Sequence, residues 1–265
     1  MQDLLSYVPT AGSLEDRVVL VTGATSGIGR AVARALTRAG ATVVLHGRNP
    51  DALETTYQEL KALGSEPAVA VLDLERAQGE DYQSLTSALE HRYGALDGLL
   101  HNAGILGDLS PIEYYDVALW QRVMHVNLTS AFILTRCLLP LLRESEDASI
   151  VFTTSTVGHA GRAYWGAYAT SKFGVEGLAQ VLADELARTR IRVNLVNPGA
   201  TRTEMRRKAY PAEDPNALLE PESITAPYMY LLGAESRGVT GQYFECQPRS
   251  SSSGGRKRVP GETAS

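Results

Sequence analysis

Short apolar runs alternate with longer helical segments through the first hundred residues of this chain. The runs at residues 17–21, 41–45, 68–72 and 98–101 have the length and the apolar composition of buried strands. The segments between them carry apolar residues at helical spacing or have the polar composition of a surface helix. This alternation predicts a parallel sheet with helices on both of its faces and right-handed crossovers.

The second half of the chain extends the same pattern. Residues 112–143 are predicted to be largely helical, with Pro140 bending or ending the helix. Three further strands are predicted at residues 149–154, 191–196 and 242–246. A chain of 265 residues suits one large α/β domain. We therefore predict a single doubly wound α/β domain of about seven mainly parallel strands over residues 1–247.

Composition narrows the class of function. The net charge is −5 and 44% of the residues are hydrophobic, which disfavours nucleic-acid binding as the main role. Residues 1–10 contain no basic region followed by an apolar stretch, and no uncharged apolar run approaches the ~18 residues that span a bilayer. The two cysteines, Cys137 and Cys246, lack metal-ligand spacing. We expect a cytoplasmic protein with no disulfide, metal site or membrane segment.

The end of the chain, residues 248–265, differs in composition from the rest. It is rich in Ser, Gly and basic residues and has few apolar side chains to bury. We predict that this tail is disordered and that its short basic run, residues 256–258, is a solvated charge cluster.

Tyr168 and Lys172 precede an apolar segment with helical spacing at residues 173–186. Residues four apart on a helix lie one above the other, so the ammonium would lie beside the phenol. Lowering the pKa of a tyrosine by ~3 units requires ~4 kcal/mol, which a positive charge at ~4 Å supplies when the effective dielectric is ~20. The spacing predicts an acid/base pair, although so short a motif is also common on ordinary helix surfaces.

A glycine-rich turn at residues 22–29 joins the first predicted strand to the first helix. At this position a doubly wound sheet presents backbone N–H groups and a helix N-terminus to a pyrophosphate. Gly23 permits the turn, Gly27 lets the backbone approach the phosphates, and Gly29 allows close helix–strand packing. The residues predicted to bind a dinucleotide here are Gly23, Thr25, Ser26, Gly27, Ile28 and Gly29.

Arg48 lies at the end of the second predicted strand, nineteen positions after Gly29. An acidic residue at this place accepts hydrogen bonds from the adenosine 2′-hydroxyl, whereas a guanidinium favours a 2′-phosphate. No carboxylate occupies the strand end, so the sequence predicts NADP(H) rather than NAD(H). Asn49 can assist, but as the residue before Pro50 it is equally a helix cap.

Further motifs follow in a recognisable order: Thr22-Gly23-x-x-x-Gly27-x-Gly29, Asn102-Ala103-Gly104, Asn127, Ser155, Tyr168-x-x-x-Lys172 and Pro198-Gly199. In order and spacing they resemble the short-chain dehydrogenase/reductase family over about residues 17–246. Within that family, residues 101–108 and 165–168 look closest to a group of bacterial oxidoreductases. The resemblance implies a Rossmann-like fold and hydride transfer between nicotinamide and a carbonyl or alcohol.

The resemblance also implies a role for each catalytic residue. Tyr168 would exchange a proton with the substrate oxygen, and Lys172 would lower the pKa of Tyr168 and bind the nicotinamide ribose. Ser155 would stabilise the developing alkoxide; spacing alone leaves three neighbouring hydroxyls open, those of Thr153, Thr154 and Thr156. Asn127 would hold a water that leads to Lys172; without the resemblance it is an ordinary buried polar residue.

The remaining cofactor residues implied by the resemblance follow the later strands. Asp73 and Leu74 would contact adenine, although Asp73 equally suits a helix cap. The segment 102–104, which is Asn102, Ala103 and Gly104, would line the adenosine ribose. Pro198, Gly199 and Thr201 would line the nicotinamide, as would Tyr168 and Lys172.

Three segments are expected around the substrate: residues 105–111, 158–165 and 201–221. Their aromatic and apolar members indicate a partly hydrophobic carbonyl or alcohol, and the last segment is expected to be a mobile lid. Arg162 and Arg206 are interpreted as solvated loop charges. The five histidines show no ligand spacing and no acid partner, and only His159 is expected near the substrate.

Two hypotheses of different classes follow. The first is an NADP(H)-dependent carbonyl reductase or alcohol dehydrogenase; the second is a non-catalytic sensor of the NADPH/NADP ratio. Intact Asn127, Ser155, Tyr168 and Lys172 favour the enzyme, since a sensor needs no proton donor. Helical segments with apolar residues on more than one face, together with the family resemblance, predict a homodimer or homotetramer.

Overall fold

Seven strands form one sheet in which each neighbouring pair runs parallel. In the computed structural model, which describes residues 4–10, 12–64 and 66–247, the strands are β1 (Val18–Thr22), β2 (Thr42–Gly47), β3 (Ala68–Val71), β4 (Gly98–His101), β5 (Ala148–Thr153), β6 (Ile191–Asn197) and β7 (Tyr243–Glu245). Their order across the sheet is β3-β2-β1-β4-β5-β6-β7. The predicted doubly wound α/β fold is confirmed. The predicted tail, residues 248–265, lies outside the described residues.

Eight α-helices connect the strands or follow them within the described residues. They are α1 (Gly27–Arg38), α2 (Pro50–Lys61), α3 (Gly79–Tyr93), α4 (Val117–Met124), α5 (Ser130–Glu144), α6 (Gly166–Glu185), α7 (Glu204–Ala209) and α8 (Ala226–Leu232). Short 3₁₀ turns occur at Leu4–Ser6, Ile112–Tyr114, Thr156–Gly158, Pro215–Ala217, Pro221–Ile224 and Ala234–Ser236.

Two hydrophobic clusters lie on the two faces of the sheet. Leu20 of β1 contributes to the cluster that α3, α5 and α6 cover. Its neighbours Val19 and Val21 contribute to the cluster that α1, α2 and α8 cover. Successive strand residues point to opposite faces, and both faces are buried, so the central strands are apolar almost throughout.

The strand order reverses between β1 and β4, which lie side by side in the centre of the sheet. The loops after these strands diverge to opposite faces and leave a crevice at the carboxyl edge of the sheet. The glycine-rich turn follows β1, and the segment that starts at Asn102 follows β4. The topology therefore places the predicted dinucleotide turn at the position where open α/β sheets bind ligands.

The helical span Val117–Glu144 differs from the prediction in two respects. A π-turn, His125–Thr129, interrupts it between α4 and α5, and Pro140 lies inside α5, which continues to Glu144. The prediction that Pro140 could end the helix is wrong, because α5 packs its apolar face into the core through residues such as Leu138 and Leu141. Tertiary packing of this kind outweighs local helix propensity.

The same span is the one helix among the described residues that is long and apolar enough to cross a membrane. Its mean hydropathy is 1.3, and half of its most apolar window is buried inside the fold. Burial of this kind is expected of a core helix.

Candidate active site

Tyr168 and Lys172 lie in the first two turns of α6, and both side chains are buried, with 8% and 4% of their surface exposed. The Lys172 Nζ donates a 2.8 Å hydrogen bond to the carbonyl oxygen of Thr153 at the end of β5. It lies over the Tyr168 ring, 5.7 Å from the ring centre. The predicted pairing of the two side chains on one helix face is therefore present.

The pKa values of the pair differ from the expected ones. Burial raises the pKa of Tyr168 to about 12, and only a hydrogen bond with Ser155 opposes this. Burial lowers the pKa of Lys172 to about 8, while the carboxylate of Glu176 acts in the raising direction. The expectation that Lys172 lowers the pKa of Tyr168 is wrong for the protein chain by itself. Burial removes hydration from the charged form of the phenol, and this effect dominates the Tyr168 pKa.

Of the four neighbouring hydroxyl residues, Ser155 is the one whose interaction acts to lower the Tyr168 pKa, and both residues line the same pocket. Its three neighbours contact other groups. Thr154 Oγ1 donates to Glu176 Oε1 at 2.7 Å, and Thr156 Oγ1 accepts from Asn197 Nδ2 at 3.1 Å. The Thr153 hydroxyl lies 3.3 Å from that of Tyr228. These contacts favour Ser155 over its neighbours, in agreement with the resemblance.

Asn127 lies in the π-turn, and its side chain fixes the loop after β4. Its amide accepts from the Ile105 N–H at 2.8 Å and donates to the Ile105 carbonyl at 2.9 Å and to Ser171 Oγ at 2.9 Å. Asn127 and Lys172 both line a small cavity of about 10 Å³. This is about the smallest volume that holds one water molecule, so the cavity is large enough for the expected water between them.

Thr22 connects the loop after β4 to the end of β1. Its hydroxyl accepts hydrogen bonds from the backbone N–H groups of Asn102 and Ala103, at 2.9 and 3.0 Å, and donates to the carbonyl of Leu100. The Asn102 side chain donates to the Thr22 carbonyl at 3.3 Å. These bonds hold the two sides of the crevice at a fixed separation.

The glycine-rich turn has the shape that a pyrophosphate requires. Gly23 and Gly27 adopt φ values of +65° and +50°, which residues with side chains rarely adopt. A Cβ on Gly29 would lie 2.3 Å from the Gly23 carbonyl oxygen, so only glycine allows this packing. Ser26 makes no side-chain capping bond, and the first turn of α1 contains no acidic residue. The N-terminus of α1 therefore fits an anion such as the pyrophosphate of a dinucleotide.

A groove of about 540 Å³ runs from this turn to Tyr168 and Ser155. Most of the predicted cofactor residues line it: Gly23, Ser26, Gly27, Ile28, Asn102, Ala103, Gly104, Tyr168, Lys172, Pro198, Gly199 and Thr201. Arg34 and Glu222, which the sequence did not single out, also line it and lie 3.9 Å apart. The groove thus brings the predicted cofactor turn and the predicted catalytic residues into one site.

The other predicted cofactor residues lie outside the lining of this groove: Thr25, Gly29, Arg48, Asn49, Asp73 and Leu74. Asn49 caps α2, since its Oδ1 accepts from the N–H groups of Asp51 and Ala52. Asp73 Oδ1 accepts from the Glu75 N–H at 3.1 Å within a turn. Asn49 therefore has the capping role that the sequence left open, whereas Asp73 stabilises a turn and the N-cap of α3 is Gln78.

Arg48 faces a carboxylate from the loop after β3. Its Nη1 lies 3.7 Å from Glu75 Oε2, and Arg122 Nη2 lies 2.8 Å from the same oxygen. The Arg48 side chain is 60% exposed. As expected, no carboxylate lies at the end of β2 itself. The contact between Arg48 and Glu75 could not be predicted from the sequence, because Glu75 follows a different strand.

An apolar cluster includes and surrounds Tyr168. Trp165, Tyr168, Val157 and Ala169 form its buried part, with Leu106, Met205, Ala209 and Tyr210 packed against it. The Tyr210 ring lies 5.7 Å from the Trp165 ring. This cluster joins the three segments that were expected around the substrate.

Arg162 and Arg206 both contact Tyr210: Arg162 is exposed, as the sequence suggested, whereas the Arg206 side chain is 25% exposed and lies against the Tyr210 ring. Arg162 Nη1 donates to the Tyr210 hydroxyl at 2.6 Å. The Arg206 guanidinium stacks 3.8 Å from the centre of the Tyr210 ring and makes two 2.6 Å hydrogen bonds to Glu213. Through their contacts with Tyr210, the two arginines connect α7 and the loop after it to the residues before α6.

His159 has an acid partner, which contradicts the sequence interpretation. Its Nδ1 lies 3.3 Å from Glu176 Oε2. Glu176, one turn after Lys172, is buried, and the sequence analysis missed it, although the four-residue spacing from Lys172 was a signal for it. Within the described residues, no group of three His, Cys, Asp or Glu side chains is placed to hold a metal ion.

Comparison with known proteins identifies the family to which this chain belongs. The family model of the short chain dehydrogenases matches residues 17–214. The chain belongs to the short-chain dehydrogenase/reductase family. The resemblance that the motifs indicated is confirmed, because the matched region contains the glycine turn, Ser155, Tyr168 and Lys172.

Relatives within the short-chain dehydrogenase/reductase family are similar over almost the whole chain. The uncharacterized oxidoreductase YciK of Escherichia coli K12 is 48% identical over 245 residues, which are 92% of this chain and 97% of the relative. This similarity confirms the expected closeness to a group of bacterial oxidoreductases.

Two crystal structures of short-chain dehydrogenases are similar in fold and contain a nucleotide. One, from Escherichia coli CFT073 in complex with NADPH, is 49% identical with a TM-score of 0.88, covering 91% of this chain and 100% of that chain. The other, from Shigella flexneri 2a strain 301 in complex with NADP, is 48% identical with a TM-score of 0.88, covering 90% of this chain and 100% of that chain.

Proposed function

We propose that this protein is an NADP(H)-dependent oxidoreductase that transfers a hydride between nicotinamide and a carbonyl or alcohol substrate. The observation that carries the proposal is the position of Tyr168, which is buried and lies with Ser155 and Lys172 at one end of a groove that begins at the glycine turn. Bound NADPH supplies the hydride in such a reaction.

Tyr168 holds the proton that the reaction needs. Because burial raises its pKa to about 12, the phenol is protonated at neutral pH and can donate to a carbonyl oxygen as negative charge develops there. Ser155 supplies a second hydrogen-bond donor next to that oxygen. Lys172, held by the Thr153 carbonyl, places a positive charge beside the phenol. These states suit the direction of carbonyl reduction.

The preference for NADP(H) over NAD(H) rests on two observations. Arg48 follows β2 directly, where it can meet the 2′-phosphate of the adenosine ribose. The related structures from Escherichia coli CFT073 and Shigella flexneri contain NADPH and NADP. The glycine turn, Asn102 and Thr201 would hold the rest of the cofactor along the groove.

The substrate is proposed to be a partly hydrophobic carbonyl compound. The pocket next to Tyr168 is walled by Trp165, Leu106, Met205 and Tyr210. Arg162 and Arg206 both contact Tyr210, so neither guanidinium is free to bind an acidic substrate group. The apolar and aromatic side chains of the cluster remain as the surface next to Tyr168.

A cytoplasmic homodimer or homotetramer is the proposed form of the enzyme. Phe132 on α5 and Phe173 and Val181 on α6 are 49%, 45% and 56% exposed. Large apolar side chains on two neighbouring helices favour a second protein surface against them. Gly174 of α6 packs against Leu128 of the same chain.

A spectrophotometric screen tests the proposed function. NADPH oxidation is followed at neutral pH with aldehydes, aromatic ketones and 1,3-dicarbonyl compounds, for the native protein and Tyr168→Phe. We expect turnover that falls by about 10²- to 10⁴-fold in the variant, which lacks the proton donor, with NADPH binding retained. Full turnover by Tyr168→Phe would exclude the mechanism, and NADPH binding without turnover across the panel would favour the sensor.

A further inference from the structure

Glu176 is a buried acidic side chain for which the proposed reaction has no role. It lies on α6 one turn after Lys172, and its side chain is 8% exposed. A buried carboxylate is costly unless it is paired and hydrogen-bonded. The contacts that stabilise Glu176 therefore indicate what it does for the site.

Both carboxylate oxygens of Glu176 face polar groups from the loop after β5. Oε1 accepts a 2.7 Å hydrogen bond from Thr154 Oγ1, and Oε2 lies 3.3 Å from His159 Nδ1. Thr154 is 1% exposed and lies between Thr153, whose carbonyl accepts a hydrogen bond from Lys172, and Ser155, which lines the same groove as Tyr168. Glu176 thus fixes the strand end that holds Lys172 and positions Ser155.

Gly158 shows how closely these groups are packed. A Cβ on Gly158 would lie 2.8 Å from the Lys172 Cβ, 2.8 Å from Thr154 Oγ1 and 3.1 Å from Glu176 Oε1. The stem of Lys172, the Thr154 hydroxyl and the Glu176 carboxylate therefore surround one point. No larger residue fits there without moving one of them.

The other titratable groups around Lys172 and Glu176 come from several elements. His101 of β4 is neutral, since burial, His46 and the Lys172 charge lower its pKa to about 3. Tyr168 precedes Lys172 by one turn on α6. The exposed His159 covers the Glu176 carboxylate on its solvent side. The His159 ring lies 5.5 Å from the Tyr243 ring of β7. Among these described neighbours, Glu176 is the acidic side chain beside Lys172.

We propose that Glu176 is a positioning residue of this site: one turn from Lys172 on α6 and packed with its stem around Gly158, its carboxylate supplies a buried negative charge near Lys172 and, through Thr154, holds the end of β5 that carries Ser155. The catalytic consequence rests on the proposed function, because it assumes that a protonated Lys172 assists Tyr168. The charge relationship between Glu176 and Lys172 does not depend on any reaction.

The test measures the ionisation of Lys172 directly. The chain has four lysines, Lys61, Lys172, Lys208 and Lys257, so protein labelled with ¹³C at lysine Cε gives a spectrum in which Lys172→Arg assigns the signal of Lys172. Its chemical shift is followed from pH 6 to pH 11 in the native protein, Glu176→Gln and Glu176→Asp. Glu185→Gln is the matched control, because it removes an exposed carboxylate from the same helix.

We expect the Lys172 signal to titrate near pH 8 in the native protein and about one pH unit lower in Glu176→Gln, because an adjacent opposite charge raises a lysine pKa by roughly that amount or more. Glu176→Asp should restore most of the difference, and Glu185→Gln should leave the midpoint unchanged. An unchanged or higher midpoint in Glu176→Gln would overturn the proposal. A native midpoint below pH 7 would also overturn it, and that measurement needs no variant to fold.

Activity provides a second readout if a carbonyl substrate is found. The alkaline fall of kcat/KM for NADPH, which reports groups of the free enzyme, should move down with the Lys172 midpoint in Glu176→Gln and stay in place in Glu185→Gln. If no substrate is turned over, the proposed reductase function fails while the titration still decides the role of Glu176.

Discussion

The ammonium of Lys172 lies over the Tyr168 ring, 5.7 Å from the ring centre. Its hydrogen bond goes to the Thr153 carbonyl, so the lysine is anchored to β5 rather than to the tyrosine. Tyr168 therefore has a raised pKa and Lys172 has a lowered pKa. This arrangement leads to the first prediction.

Lys172→Met should stabilise the fold at neutral pH. A lysine with a pKa of about 8 in the folded protein and about 10.4 in the unfolded chain destabilises the fold by about 3 kcal/mol below pH 8, and this penalty fades as the pH rises toward 10.4. Methionine removes the charge but also the hydrogen bond to Thr153, worth about 1 kcal/mol. Urea unfolding at pH 7 should show a gain of about 2 kcal/mol that disappears by pH 10.

Lys208→Met is the control for this experiment, because Lys208 lies on α7 with a 65% exposed side chain. It should change the free energy of unfolding little at either pH. A Lys172→Met protein that is less stable than the native protein at pH 7 would contradict the depressed pKa.

Arg48→Ala should weaken NADPH much more than NADH. The guanidinium can make charge-assisted hydrogen bonds to a 2′-phosphate, and losing one raises the KM for NADPH by roughly tenfold or more. Glu75→Gln should act in the opposite direction, because it releases Arg48 from the carboxylate 3.7 Å away. Steady-state kinetics with both cofactors measure this, with the exposed Arg38→Ala at the end of α1 as control. Equal changes for both cofactors in Arg48→Ala would refute the NADP(H) preference.

Tyr210→Ala should raise the KM for the carbonyl substrate by roughly tenfold while leaving the KM for NADPH nearly unchanged. The substitution removes the ring that packs near Trp165 and on which Arg206 stacks, and loss of a buried aromatic contact is worth about 1.5 kcal/mol. Tyr210→Phe keeps the ring and loses only the bond from Arg162, so its effect should be smaller. Equal KM values in the native protein and Tyr210→Ala would remove Tyr210 from the substrate site.

Phe173→Glu should dissociate the proposed oligomer. A carboxylate at this exposed apolar position of α6 would be buried without a partner in any interface formed by this face. Light scattering at micromolar concentration should give the mass of a single chain for the variant and a multiple of it for the native protein. A native protein that is already monomeric would contradict the proposal, and Glu185→Gln on the same helix serves as control.

The sequence predicts the strands and the glycine turn well, because apolar periodicity and glycine spacing are local signals. The limits of β4, for example, agree with the prediction at both ends. Contacts between segments that are distant in the sequence could not be predicted from such local signals. Neither the pairing of His159 with Glu176 nor that of Arg48 with Glu75 follows from spacing, since both depend on how loops fold back on the sheet.

The direction of the Tyr168 pKa shift was mispredicted for a related reason. The sequence places Lys172 four residues from Tyr168, but it does not reveal that the Thr153 carbonyl takes the ammonium or that both groups lose their hydration. Desolvation depends on the whole packed site, so a pairwise Coulomb energy cannot give the net shift.

The π-turn at His125–Thr129 has a consequence for the tolerance of this protein to changes in length. Each helical residue advances the chain by about 100° around its axis, and a π-turn accommodates one residue more than a regular turn. Deleting a single residue there would convert the π-turn into a regular helical turn and leave the rotation of α5 relative to α4 nearly unchanged, because the wider turn already absorbs the extra residue. Leu134 and Leu138 would keep facing the core, so this short stretch should accept a one-residue deletion more readily than a regular turn of α5 would.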